Sequence, residues 1–349
     1  MHFRSSRAGT ILRGMRTYLF PHRVALDDLT VVERPIPNPG PRQILVQVRA
    51  ASINFRDVAI ARGDYGAFQA PLVPLSDAAG TVVARGREVT RFTVGDLVCP
   101  VYVPDWRAGA LTEAAARRRL GGPNEGVLAE YLVLDEEDAV RAPAHLDPVE
   151  AATLPIAAVT VWQELVVAAR ITAGDVVAVQ GTGGVSLFTL LLARAVGCRV
   201  VVITRQAERI PRLQALGATA LDASSDWAGQ LLEITDGRGV DVFVDVVGDV
   251  ARAIPVTRMG GTIVLVGFVG ARNVELELPA LLRRAITLRA ASAGSRATFE
   301  ALVRAMEAHE LRPIVDRMVP FAEAKDAYDI LERGRPFGKV VIDVTEVAS

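Results

Sequence analysis

"VVAVQGTGGVSLFTLLLARAVGCRVVVITR", residues 176 to 205, passes from a strand-like run through Gly181-Thr182-Gly183-Gly184 into apolar helix formers, then into a second β-branched run. Val176 to Gln180 suit a strand covered on both faces. Gly181, Gly183 and Ser186 occupy the three positions of G-x-G-x-x-G/A. The first permits a tight turn, the second lets backbone approach a pyrophosphate, and the third must be small for helix–strand packing. Ser186 meets that need. The helix beyond the turn offers unpaired N–H groups and its positive dipole end to an anion. A glycine triad alone is a weak signal. Placed after a strand, before a helix and in the first of several βαβ units, it predicts a dinucleotide site, with Thr182, Gly184 and Val185 completing the cradle.

The end of the second strand selects between dinucleotides. An NAD site usually carries Asp or Glu there to accept the adenosine ribose hydroxyls. This chain has Thr204-Arg205, with Arg209 a turn later. A carboxylate would repel a 2′-phosphate, whereas a hydroxyl and two guanidinium groups can accept and pair one. The expected cofactor is NADP(H).

Outward from this unit, strands and helices alternate from about residue 158: "RVVVI" with a helix over 210–216, "VDVFVDVVG" with a helix over 250–258, then "GTIVLVGF". That texture predicts a parallel sheet. Earlier, 26–50 and 79–101 carry β-branched runs broken by Pro and Gly, which read as antiparallel and barrel-like. A helix is expected near 296–309 and a strand in the terminal "GKVVIDV". The stretch 104–126 reads as an insertion between strands, long enough to carry function or to move. Residues 1–14, Arg-rich and without an apolar core, read as a loose tail rather than a secretory signal.

With 349 residues and 50% hydrophobic side chains, the chain has material for two cores. Its net charge of -1 offers no electrostatic footprint for nucleic acid or an anionic membrane surface, so small molecules are the expected partners. Cys99 and Cys198 lie in strand-like surroundings and support neither a disulfide framework nor a cysteine zinc site. No run suggests a membrane span, and a reducing cytoplasm is the expected location.

"INFRDVAIARGDYG", "VPLSDAAGTVVARG", "FTVGDLV", "AATLPIAAVTVW", "QGTGGVSLF", "GVDVFVDVVG" and "FGKVVI" follow one another in an order that resembles the medium-chain dehydrogenase/reductase superfamily, over nearly all of the chain from Met15. The likeness is greatest to its zinc-free quinone oxidoreductase and enoyl reductase branches, and to the zinc-type alcohol dehydrogenase-like proteins beside them. The resemblance implies an α/β fold: a GroES-like β-barrel domain from 1–157 and 295–349, with a doubly wound Rossmann domain from 158–294 between them. It also implies a homodimer through the sheet edge near 286–294.

Zinc-dependent members carry a Cys where this chain has Asn54, a His-Glu pair where it has Ser76-Asp77, and a further Cys where it has Ile156. A catalytic zinc takes about three Cys, His or carboxylate ligands, so a metal-free site is expected. The same resemblance places Asn54 near the nicotinamide and its ribose. Tyr65 of "GDYG" aligns with a proton-donating tyrosine of 2-enoyl thioester reductases, a role in which a phenol serves a developing enolate. A tyrosine packed in the barrel is the competing reading. Thr160 corresponds to a threonine near the nicotinamide, and Lys339 to a residue that reaches the cofactor from the terminal strand. Val246, Gly248, Val266, Gly267 and Phe268 end two Rossmann strands at the carboxyl edge, where ligands bind. Asp222-Ala223 replaces the usual Asn-Tyr after the third Rossmann strand and removes one adenosine-side contact. The expected reaction is zinc-independent, NADPH-dependent reduction of an activated C=C bond or a quinone. A metal-free alcohol or carbonyl dehydrogenase and a silent dinucleotide-binding protein are the alternatives.

Overall fold

The computed structural model describes residues 14–270, 273–333 and 336–345. The expectation for the leading tail therefore lies outside the described residues, apart from Gly14, which opens β1 (Gly14–Leu19). β1 pairs with β2 (Thr30–Pro35) as an antiparallel ribbon. The barrel sheet is built from β3 (Gln43–Ile53), β4 (Asp77–Arg85), β5 (Leu97–Pro100), β6 (Tyr131–Asp135) and β7 (Ala139–Arg141). Two late strands, β14 (Val315–Pro320) and β15 (Lys339–Asp343), join it, and β15 pairs antiparallel with β3. These two late strands are thus part of the first domain.

Between these halves lie β8 (Val176–Gln180), β9 (Arg199–Thr204), β10 (Thr219–Asp222), β11 (Val240–Asp245), β12 (Thr257–Leu265) and β13 (Thr287–Ala290). All are parallel, in the order β10-β9-β8-β11-β12-β13. Chain order reverses between β8 and β11. That reversal opens the crevice at the carboxyl ends where ligands bind in doubly wound sheets. Every residue of β8 is buried, as a strand with helices on both faces requires.

The helix Gly184–Val196 follows β8 directly and stops at Gly197, whose φ of +97° is a left-handed cap that other residues adopt at a cost. The helix expected over 250–258 ends at Val256, because β12 already begins at Thr257. Residues 154–168, ahead of β8, run largely with π-helical hydrogen bonding, which the sequence pattern did not announce. The stretch 104–126 is packed: Trp106 and Ala115 are buried with Tyr102 and Val103, and Arg118 pairs with Asp105 at 2.9 Å. Among the described residues no helix is long and apolar enough to cross a membrane.

Candidate active site in the interdomain cleft

Ser186 is buried at the start of its helix and its hydroxyl donates to the Gln180 carbonyl at 2.7 Å, so the third position of the motif locks helix to strand. Gly181 has φ +79°, and no atom lies within 4 Å of where a Cβ on Gly183 would project. The second glycine therefore leaves open space at a helix N-terminus, which is what a pyrophosphate needs. Gly184 is pressed from the other domain: its notional Cβ would lie 2.6 Å from the Lys339 side chain. The residues of the turn fit a dinucleotide.

The adenosine side departs from expectation at one residue. Thr204 is 1% exposed and its hydroxyl oxygen accepts from the Gln206 N–H at 3.1 Å. It folds the turn, leaving Arg205 and Arg209 as the charges available to a 2′-phosphate. Arg205 is exposed just beyond β9. Arg209 donates to the Thr182 hydroxyl and to the Pro336 carbonyl, and lies over the Phe337 ring. It touches the glycine turn itself. Thr160 is buried in the helical stretch before β8. Val246, Gly248, Val266, Gly267 and Phe268 are partly buried at the carboxyl edge, where Asp245 Oδ1 accepts from the N–H groups of Val247 and Gly248. Val185 is partly buried in the first turn of its helix.

Across the cleft, Lys339 Nζ donates to Asn54 Oδ1 at 2.6 Å and to the Ile53 carbonyl at 3.0 Å, and lies 3.9 Å from Asp77 Oδ2. Asn54 in turn takes Asp57 Oδ2 on its own N–H at 2.8 Å, beginning the helix Phe55–Ala61. Burial pushes Asp77 upward and Lys339 downward from their ordinary values, and each one's charge opposes the shift of the other. Tyr65 is not packed inside the barrel. It is 40% exposed, and its ring stacks on Phe268 of the Rossmann domain with centroids 6.2 Å apart. Phe55 meets the same Phe268 edge-on at 6.0 Å. The two domains thus close on each other through aromatic rings beside Asn54.

Two family profiles match the chain: "Alcohol dehydrogenase GroES-like domain" over 40–144 and "Zinc-binding dehydrogenase" over 184–308. A zinc-type alcohol dehydrogenase-like protein of Schizosaccharomyces pombe is 34% identical, over 91% of this chain and 96% of its own length. The chain belongs to the medium-chain dehydrogenase/reductase superfamily. It is an oxidoreductase of that superfamily, whose dinucleotide-binding architecture implies NAD(P). A 2-methylene-furan-3-one reductase of Solanum lycopersicum is 31% identical over 88% of this chain and 73% of its own. A Sinorhizobium meliloti structure described as an alcohol dehydrogenase superposes with a TM-score of 0.89 at 36% identity, covering 96% of this chain and all of that one.

Membership in this superfamily raises zinc, and the residues here do not fit it. The four positions hold an amide, a hydroxyl, one carboxylate and an isoleucine. The carboxylate of Asp77 is already engaged by the Ser76 hydroxyl at 3.1 Å, the Ile156 N–H at 3.3 Å and the nearby Lys339 ammonium. Among the described residues there is no group of three His, Cys, Asp or Glu able to hold a metal. The sequence does not reveal that these positions are joined through Lys339, which is 285 residues from Asn54.

Proposed function

We propose that this oxidoreductase reduces an activated C=C bond or a quinone, uses NADPH, and needs no zinc. The observation that carries the reading is the Lys339–Asn54–Asp77 network, in which the one carboxylate among the candidate ligand positions is already engaged by Ser76, Ile156 and the Lys339 ammonium. Without a Lewis acid, an alkoxide loses its usual stabilisation, whereas an enone or quinone already presents an electrophilic atom. When bound, the dihydronicotinamide supplies the hydride. Asn54, its amide oriented by Lys339, holds the substrate carbonyl and the nicotinamide end in register. The Tyr65 hydroxyl, exposed at the mouth of the cleft, gives the proton that completes the addition, or hydrogen-bonds to the oxygen on which negative charge develops. Two arginines near the adenosine end favour the extra phosphate of NADPH. The 31% identity to a reductase acting on a conjugated ketone accords with this acceptor class.

The test is a panel of enones, enoyl thioesters, quinones and simple ketones, each with NADPH and NADH, beside elemental analysis. Turnover of conjugated acceptors with NADPH at zinc below about 0.1 per chain is expected, since a three-ligand site would load fully. Stoichiometric zinc lost together with activity would overturn the metal-free reading. Ketone turnover alone would move the protein to metal-free carbonyl reduction, and binding without turnover of any acceptor would make it a silent dinucleotide binder.

A further inference from the structure

Arg56 is 9% exposed, follows Phe55 in the chain and lies against Tyr65, the two rings that meet Phe268 of the Rossmann domain. One of its nitrogens donates to the Gly122 carbonyl at 2.5 Å, and Asp57 Oδ1 stands 3.6 Å from another. Its Nε and Nη1 make no hydrogen bond among the described residues. What surrounds the guanidinium is aromatic: its centre lies 5.0 Å from the Tyr102 ring and 5.6 Å from the Tyr65 ring. A weakly hydrated planar cation is attracted to ring faces at these separations. One buried charge thus holds two tyrosines.

Tyr65 is the residue already placed at the cleft mouth. Tyr102 follows β5 by two residues and its carbonyl accepts from Leu120 N at 3.1 Å, which ties it to the 104–126 stretch. Its ring is buried with Val103, Trp106 and Ala293. Its hydroxyl makes no hydrogen bond among the described residues, yet its oxygen is not among the polar atoms sealed from solvent. This is the pattern of an amphipathic side chain with an apolar body and a wet tip. Burial pushes the Tyr102 phenol up to about 12 while Arg56 pulls it back, so near neutrality it stays a proton-bearing donor. A neutral donor in an apolar wall is complementary to a carbonyl or quinone oxygen.

We propose that Tyr102 is a second substrate-binding phenol, donating with Tyr65 to the acceptor's oxygen, and that Arg56 is the positioning residue that holds both rings. The inference rests on the acceptor class given under Proposed function. Its test is arranged so that the two fail separately. Binding of cyclohexenone to the NADP+-loaded protein, which cannot deliver hydride, is measured for wild type, Tyr102→Phe, Arg56→Met and the double variant. Turnover with NADPH is followed alongside.

Loss of one hydrogen bond predicts about tenfold weaker binding in Tyr102→Phe, with a raised KM for the enone and an unchanged KM for NADPH. Arg56→Met weakens binding as well, and the double variant is no worse than the poorer single one, because both changes remove the same contact. Equal binding by wild type and Tyr102→Phe, multiplying losses in the double variant, or no enone binding by wild type would each overturn the proposal. Tyr102→Phe keeps ring and shape, so that comparison stands even if Arg56→Met fails to fold. Wild type that binds the enone but does not reduce it would sink the reductase reading while leaving the phenol pair tested.

Discussion

Removing the two guanidinium groups at the adenosine end separates charge recognition of NADPH from general support of the turn. Arg205 is exposed beyond β9, so its contact with a phosphate is wet and belongs at the low end of a charge-assisted hydrogen bond, about 1.5 kcal/mol. Arg209 is half-buried but already engaged by Thr182 and Pro336, and a 2′-phosphate would share it with them. A similar increment of about 1.5 kcal/mol is appropriate there. Together these give about 3 kcal/mol, or roughly a hundredfold in the ratio of NADPH to NADH affinity. The assay is quenching of protein fluorescence by each dinucleotide for wild type, Arg205→Ala, Arg209→Ala and the double variant. Arg205→Ala should alter the ratio with little effect on NADH. Arg209→Ala should also weaken NADH somewhat, because its guanidinium contacts the glycine turn. If the double variant weakens both dinucleotides equally, the arginines support the turn in general and the NADPH assignment is wrong.

Asp57 is held up to about 6 by burial, with Arg56 opposing, whereas an unfolded chain titrates it near 4. Between about pH 4 and pH 6 the native state therefore keeps a proton that the unfolded chain has lost, and stability falls as pH rises, by about 3 kcal/mol. In Asp57→Asn that fall disappears, and urea denaturation of both proteins from pH 4 to 7 reads the difference; parallel pH profiles would contradict the assignment. At the far side of the Rossmann sheet, β13 is an edge strand carrying the exposed Leu288, and Met259 of β12 and Leu278 and Leu282 of the preceding helix are exposed as well. Pairing of two such edges is expected to give a homodimer. Light scattering should return twice the chain mass, Leu282→Glu should halve it, and a wild-type monomer at micromolar concentration would remove the claim.

The Rossmann half was legible because its signals are local. Gly181, Gly183 and Ser186 stand within six residues, and the alternation of β-branched runs with helix formers carries the parallel sheet. What lay beyond reach depends on distant pairs. The family resemblance places Asn54 and Lys339 each near the cofactor, but nothing in the chain reveals that one hydrogen-bonds to the other. The sequence makes Thr204 a candidate phosphate ligand, since a hydroxyl beside an arginine has that chemistry. Its burial and its bond to the Gln206 N–H follow from the curvature of the turn, which composition does not encode. Tyr102 gave no signal at all: a tyrosine two residues beyond a strand looks like core until a guanidinium is found under its ring. The π-helical path of 154–168 was hidden for a similar reason, because its residues suit an ordinary helix equally well.

The stretch leading into β15 does more than close the barrel. Gly338 N–H donates to the Thr182 carbonyl at 2.9 Å, Gly183 bridges to Gly338, and Arg209 and Arg212 both lie over Phe337. The barrel domain is thereby stitched to the glycine turn at the point where the cofactor's phosphates would lie. Opposite this seam, Tyr65 and Phe55 of the barrel domain meet Phe268 ring to ring. Separating the domains at the phosphate seat would break a backbone hydrogen bond, whereas separating them beside Phe268 would part ring contacts only, so the seat is the more firmly tied of the two places.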